Sequence, residues 1–110
     1  MSRLTAEFWV HAYLRRLKLL DIPGFVVKHG DDTAGAVVVK LNTLDGNAKA
    51  FQRGFDLMSG ARQWDMLTEG AETDVDEAID RQKSFDPDLW VLEIEDRQGR
   101  HLLDEPGLAD

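Results

Sequence analysis

His29-Gly30-Asp31-Asp32-Thr33 is the densest gathering of donors and acceptors in the chain. Asp31 and Asp32 could hold a cation, and His29 beside them could move a proton. The spacing does not match a Ca²⁺ loop, which ends on a bidentate Glu. No Gly-Lys-Ser/Thr follows, so the segment is not a phosphate cradle. Gly, Asp and Thr are also turn formers, and a hairpin turn is the simpler reading. Arg15 could bring an anion-holding guanidinium, and Trp64 a flat apolar surface for a ligand or partner. A pocket of Arg15, His29, Asp31, Asp32 and Trp64 is the best contact site the sequence offers. It exists only if the fold brings these distant segments together.

Other constellations are weaker. His11, His29 and His101 are the only histidines, and none is paired at metal-ligand spacing. Ser59 lies in Met58-Ser59-Gly60, which is not a nucleophile elbow. Pro87-Asp88 followed by Glu93-Ile94-Glu95 superficially matches a restriction-type nuclease pattern. Glu95 stands where that chemistry needs a lysine, and no basic cleft is evident. Trp9, Trp64 and Trp90 are large apolar groups for a small chain, so one or two belong in the core. Trp64, beside Arg62 and Met66, is the candidate partner anchor. No catalytic residue, metal ligand set or cofactor motif is assigned.

Composition narrows the classes further. The chain has 110 residues, 43% of them hydrophobic, which suits one domain with one core. There is no Cys, so disulfides, thiolate metal sites and a Cys nucleophile are excluded. No secretory signal and no apolar run of membrane-spanning length is seen, and a cytoplasmic location is expected. The net charge of -8 is unevenly spread. Residues 1–55 carry eight Lys/Arg against five Asp/Glu, and residues 56–110 carry five against sixteen. The halves neutralise each other in one fold, or the acidic half meets a basic partner, or two copies associate in complementary fashion. The net acidity argues against general nucleic-acid binding. A nucleic-acid regulator would need a basic face built from Arg3, Arg15, Arg16, Lys18 and Lys28.

The elements that must position these groups read as follows. A helix over 6–20 has Thr5 as cap, with Leu4 and Trp9 at staple positions. Its expected buried stripe is Ala6, Val10, Tyr13, Leu14, Leu17 and Leu20. Asp21-Ile22-Pro23-Gly24 stops it. Strands are expected over 25–28, 36–44 and 48–55, with a further one over 62–67. A second helix over 74–84 would be capped by Thr73 and lie on the surface. A strand over 89–95 would turn Trp90, Leu92 and Ile94 to the core and Glu93 and Glu95 to solvent. A Gly99 turn and a return strand over 100–103 would complete a C-terminal hairpin. Residues 104–110 read as a frayed tail. The sum is a single α+β domain: an N-terminal helix, an antiparallel sheet of about four to six strands, a second helix and a C-terminal strand hairpin.

Phe8-Trp9-Val10-His11-Ala12-Tyr13-Leu14-Arg15-Arg16, His29-Gly30-Asp31 with Ala34-Gly35, Trp64, and the 86–97 run from Asp-Pro-Asp-Leu-Trp onwards occur in this order. In that pattern the chain resembles the small alphaproteobacterial proteins of domain of unknown function 1491. The likeness covers nearly the whole chain, and Asp86-Pro87-Asp88-Leu89-Trp90 is its most specific part. It implies a stand-alone bacterial protein and transfers no activity, cofactor or catalytic residue.

The expected function is a non-enzymatic cytoplasmic binding or protein-interaction domain, as a homodimer or with a cytoplasmic protein partner. Charge asymmetry and open strand edges motivate it. The alternative is a small enzyme or metabolite-binding domain with its polar site around the His29–Asp32 loop.

Overall fold

The computed structural model describes residues 5–55, 58–60 and 62–109. The order is α1 (Ala6–Leu19), β1 (Gly24–Lys28), β2 (Val37–Asn42), β3 (Asn47–Phe55), β4 (Arg62–Ala71), α2 (Glu72–Phe85) and β5 (Trp90–Glu95). The five strands form one sheet in the order β1-β5-β2-β3-β4. The class is α+β, and the sheet is mostly antiparallel. The exception is β5, which runs parallel to β2 because α2 carries the chain back over the sheet before β5 begins.

Helix α1 starts where Thr5 accepts a hydrogen bond from the Phe8 amide, at 3.2 Å. It buries Ala6, Trp9, Val10, Tyr13 and Leu17 against Val39, Leu41, Trp90, Leu92 and Ile94. Trp9 therefore belongs to the core stripe. Leu20, expected in that stripe, is exposed, because Asp21 takes a positive φ of 57° and turns the chain away. Leu4 lies outside the described residues.

The opposite face of the sheet is covered by α2, whose Val75 and Ile79 pack on Val38, Ala48, Ala50, Leu89 and Val91. Helix α2 begins earlier than its pattern suggests. Ala71 occupies the cap position without a side-chain bond, and Thr73 lies inside the helix. The Glu72 amide donates to the Gly46 carbonyl instead, at 3.0 Å. Strand β4 is longer than the expected 62–67 and pairs with β3 along its whole length.

The C-terminal hairpin is the main correction. Residues 100–103 form no return strand. Strand β5 lies between β1 and β2, so both its hydrogen-bonding edges are already taken. Its second face also differs from expectation. Val91 is buried under α2, and the Glu93 carboxylate turns to Lys40 at 3.4 Å. After β5 the chain packs across the α1 side of the sheet. Leu102, Leu103 and Leu108 are buried there, so the segment read as a frayed tail is part of the core. Among the described residues no helix is long and apolar enough to cross a membrane.

Candidate functional site

The structure divides the five candidate residues among three places. His29, Asp31 and Asp32 lie together in the loop after β1. His29 Nε2 is 2.6 Å from Asp32 Oδ1. The His29 ring lies over the Trp90 ring with centroids 4.0 Å apart. Asp31 Oδ2 accepts from the amides of Thr33 and Ala34, which closes a turn. The Asp31 carbonyl accepts from Trp90 Nε1 at 2.8 Å, and its amide donates to the Asp88 carbonyl at 3.0 Å. Gly30 is required by close approach, since a Cβ there would collide with the Asp88 carbonyl and the Trp90 ring. The carbonyls of Asp32 and Thr33 receive the first amides of α1, those of Glu7 and Ala6. The loop thus ties together the start of α1, the end of β1 and the turn before β5.

Arg15 sits elsewhere. It lines an open groove of about 510 Å³ between α1 and β1, with Leu14, Lys18, Asp21, Ile22, Pro23 and Gly24. Nine residues of helix, roughly 14 Å, separate it from Ala6 and the acidic loop. Trp64 lies on β4, at the opposite edge of the sheet. Its ring packs 5.1 Å from that of Trp9, and the Arg53 guanidinium stacks 4.9 Å over it. The indole nitrogens of Trp64 and Trp9 both donate to the Leu108 carbonyl, at 3.1 and 3.3 Å. Trp64 is half-buried under the C-terminal segment.

Two features escaped sequence reading. The first is a buried cation. Lys40 on β2 is 5% exposed, and its Nζ lies 2.7 Å from both Glu72 Oε2 and Asp76 Oδ1. Burial pushes its pKa down. The hydrogen bonds it donates to Asp76 and Glu72 and the charge of Glu93 outweigh that and hold it well above the usual lysine value. Asn42 adds a bond to Glu72 at 3.2 Å. The alternation of Val38, Lys40 and Asn42 under the acidic first turn of α2 was the available signal. This cluster joins the basic and acidic halves of the chain within one fold.

The second is β1. Phe25, Val26 and Val27 are 45%, 40% and 51% exposed on an edge strand. The Glu95 amide donates to the Pro23 carbonyl at 3.0 Å, which sets the alternation of the β1–β5 ladder. Phe25 then exchanges hydrogen bonds with Glu93, while Gly24 and Val26 turn their N–H and C=O groups outward. The signal in the sequence was three consecutive apolar residues with no alternation.

Near the C-terminal segment, the Tyr13 hydroxyl donates to the His101 carbonyl at 2.8 Å, and burial raises its pKa far above the usual range. His101 Nδ1 accepts from the Leu103 amide at 3.0 Å, so that nitrogen is unprotonated. Burial holds the imidazole below its ordinary pKa, against the pull of Asp104. Asp96 grips Arg100 through both carboxylate oxygens, at 3.0 and 3.1 Å. Among the described residues no group of three or more His, Asp or Glu is placed to hold a metal ion.

The family model described as "Protein of unknown function (DUF1491)" matches residues 4–104. This chain belongs to the DUF1491 family. The crystal structure of a DUF1491 protein from Caulobacter crescentus CB15 is 39% identical, with a TM-score of 0.81 over 94% of this chain and 95% of that one. The solution structure of a DUF1491 protein from the same organism gives 39% identity and a TM-score of 0.82 over 96% and 97%. A protein from A. tumefaciens is 27% identical, with a TM-score of 0.73 over 86% of each chain. No curated protein matches. The DUF1491 likeness thus spans nearly the whole domain.

Proposed function

We propose that this DUF1491 protein is a cytoplasmic protein-interaction domain that receives a β-strand on the free edge of β1. The observation that carries this reading is the exposed Phe25-Val26-Val27 run on an edge strand. An edge strand with outward N–H and C=O groups is a template for another strand, and proteins ordinarily blunt such edges with charge. Here only the bulge at Val27 shortens it. Leu19 and Leu20, at the end of α1, are exposed as well.

The alternative of a metabolite or catalytic site around the His29–Asp32 loop has less support. Its polar groups are engaged in holding the loop, and Arg15 stands a helix length away.

A photo-crosslinking side chain in place of Val27, in alphaproteobacterial cells, tests the reading. A crosslinked polypeptide is expected, and it should vanish when Phe25→Lys is added. No crosslink, or one indifferent to Phe25→Lys, would overturn the assignment of β1 as the docking strand.

A further inference from the structure

We infer that the strand received by β1 is β1 of a second copy, paired antiparallel about a two-fold axis at Phe25. This rests on β1 being a docking edge and names its occupant. The register follows from the backbone. Gly24 and Val26 carry the outward groups, and they stand symmetrically about Phe25. With the axis there, Gly24 of each copy exchanges both hydrogen bonds with Val26 of the other, and four bonds close the short ladder. An axis at Val26 would instead set Gly24 against Lys28, beyond the bulge, where the alternation has changed. Such an interface is self-complementary, as two-fold symmetry requires.

Charge selects the same arrangement. Two-fold pairing of sheet edges leaves both α1 helices on one face, running antiparallel. Arg15 and Lys18 line the groove beside β1 near Gly24, at the C-terminal end of α1, with Asp21 as their one acidic neighbour there. Glu7, on the same flank by helical spacing, lies at the other end of α1. Lys28 at that end is committed to the carbonyls of Pro87 and Leu89, and His29 to Asp32. The two-fold therefore sets the basic end of each α1 flank against the acidic end of the other. The groove of each copy is closed on its open side by its mate.

Because the chain has no Cys, single cysteines give an unambiguous test. Phe25 pairs with itself in a non-hydrogen-bonded position, where Cα atoms lie about 4.5 Å apart, within disulfide reach. Under mild oxidation Phe25→Cys should form a covalent dimer at least tenfold faster than Phe85→Cys, another exposed position. Equal rates would overturn the register and the two-fold.

Charge reversal provides the second arm. One chain carries Arg15→Glu and Lys18→Glu, the other Glu7→Lys, each checked for folding by circular dichroism. Each should sediment as a monomer, and a mixture should form the 1:1 heterodimer. Independent monomers in the mixture would overturn the pairing. A monomeric protein that still crosslinks another polypeptide from Val27 would refute the second copy while leaving the docking edge standing. Loss of both would refute both.

Discussion

The two edges of the sheet are built differently. Strand β4, at one edge, is ten residues long and carries Arg62, Gln63, Asp65 and Glu69. Its Trp64 is held under the C-terminal segment by the Leu108 carbonyl. Strand β1, at the other edge, is five residues long and presents Phe25, Val26 and Val27. The guarded edge is charged and anchored, whereas the unguarded edge is apolar and open. A 110-residue domain gains nothing in solubility from the second arrangement, and the proposed docking role of β1 rests on that difference.

The contrast can be broken at the β4 side first. Leu108→Ala removes a buried side chain from the segment that seals Trp9 and Trp64. A loss of about 3 kcal/mol is expected, measured by urea unfolding. The same variant should leave β1 self-association unchanged once the protein is folded. Gly30→Ala breaks the β1 side, by forcing a methyl against the Asp88 carbonyl and Trp90. We expect a loss of about 2 kcal/mol, with faster exchange of the Asp31 amide by NMR.

A sharper cut separates docking from folding. Phe25→Lys places a charge on an already exposed position, so its stability should change by less than about 0.5 kcal/mol. Its dimer dissociation constant should rise tenfold or more by sedimentation. The smallest effect expected is a pH response of the C-terminal segment, where His101 packs on Phe51. His101 is held below its ordinary value of 6.5 in the fold, so the unfolded chain takes up the proton first. Stability is then full above pH 6.5 and falls as the pH drops through and below it. His101→Gln should flatten that part of the profile in thermal unfolding measured from pH 7.5 to 5.

The sequence made some of this legible. Helical spacing gave α1, and β-branched content gave β2, because both signals are local. Pairing is not local. Nothing in residues 90–95 says that their strand enters between β1 and β2, and that insertion is what abolished the expected return strand at 100–103. The tail reading failed because Pro106 and Gly107 suggest a loose chain, whereas one leucine, Leu108, is enough to dock it. Of the candidate site, a turn at Asp31 and the packing of Trp9 and Trp90 followed from residue type, but the hairpin expected across that turn does not form, because β5 lies between β1 and β2. The distance between Arg15 and the acidic loop depended on which way α1 crosses the sheet. Nothing local in the sequence singles out Lys40, since its three carboxylates come from α2 and β5.

Amide hydrogen exchange by NMR across a concentration series decides whether the free edge of β1 pairs with that of a second copy. The outward amides of Gly24 and Val26 should become protected as concentration rises, while β4 edge amides stay fast-exchanging throughout. Fast exchange of Gly24 and Val26 at every concentration, with the rest of the sheet protected, would contradict that pairing.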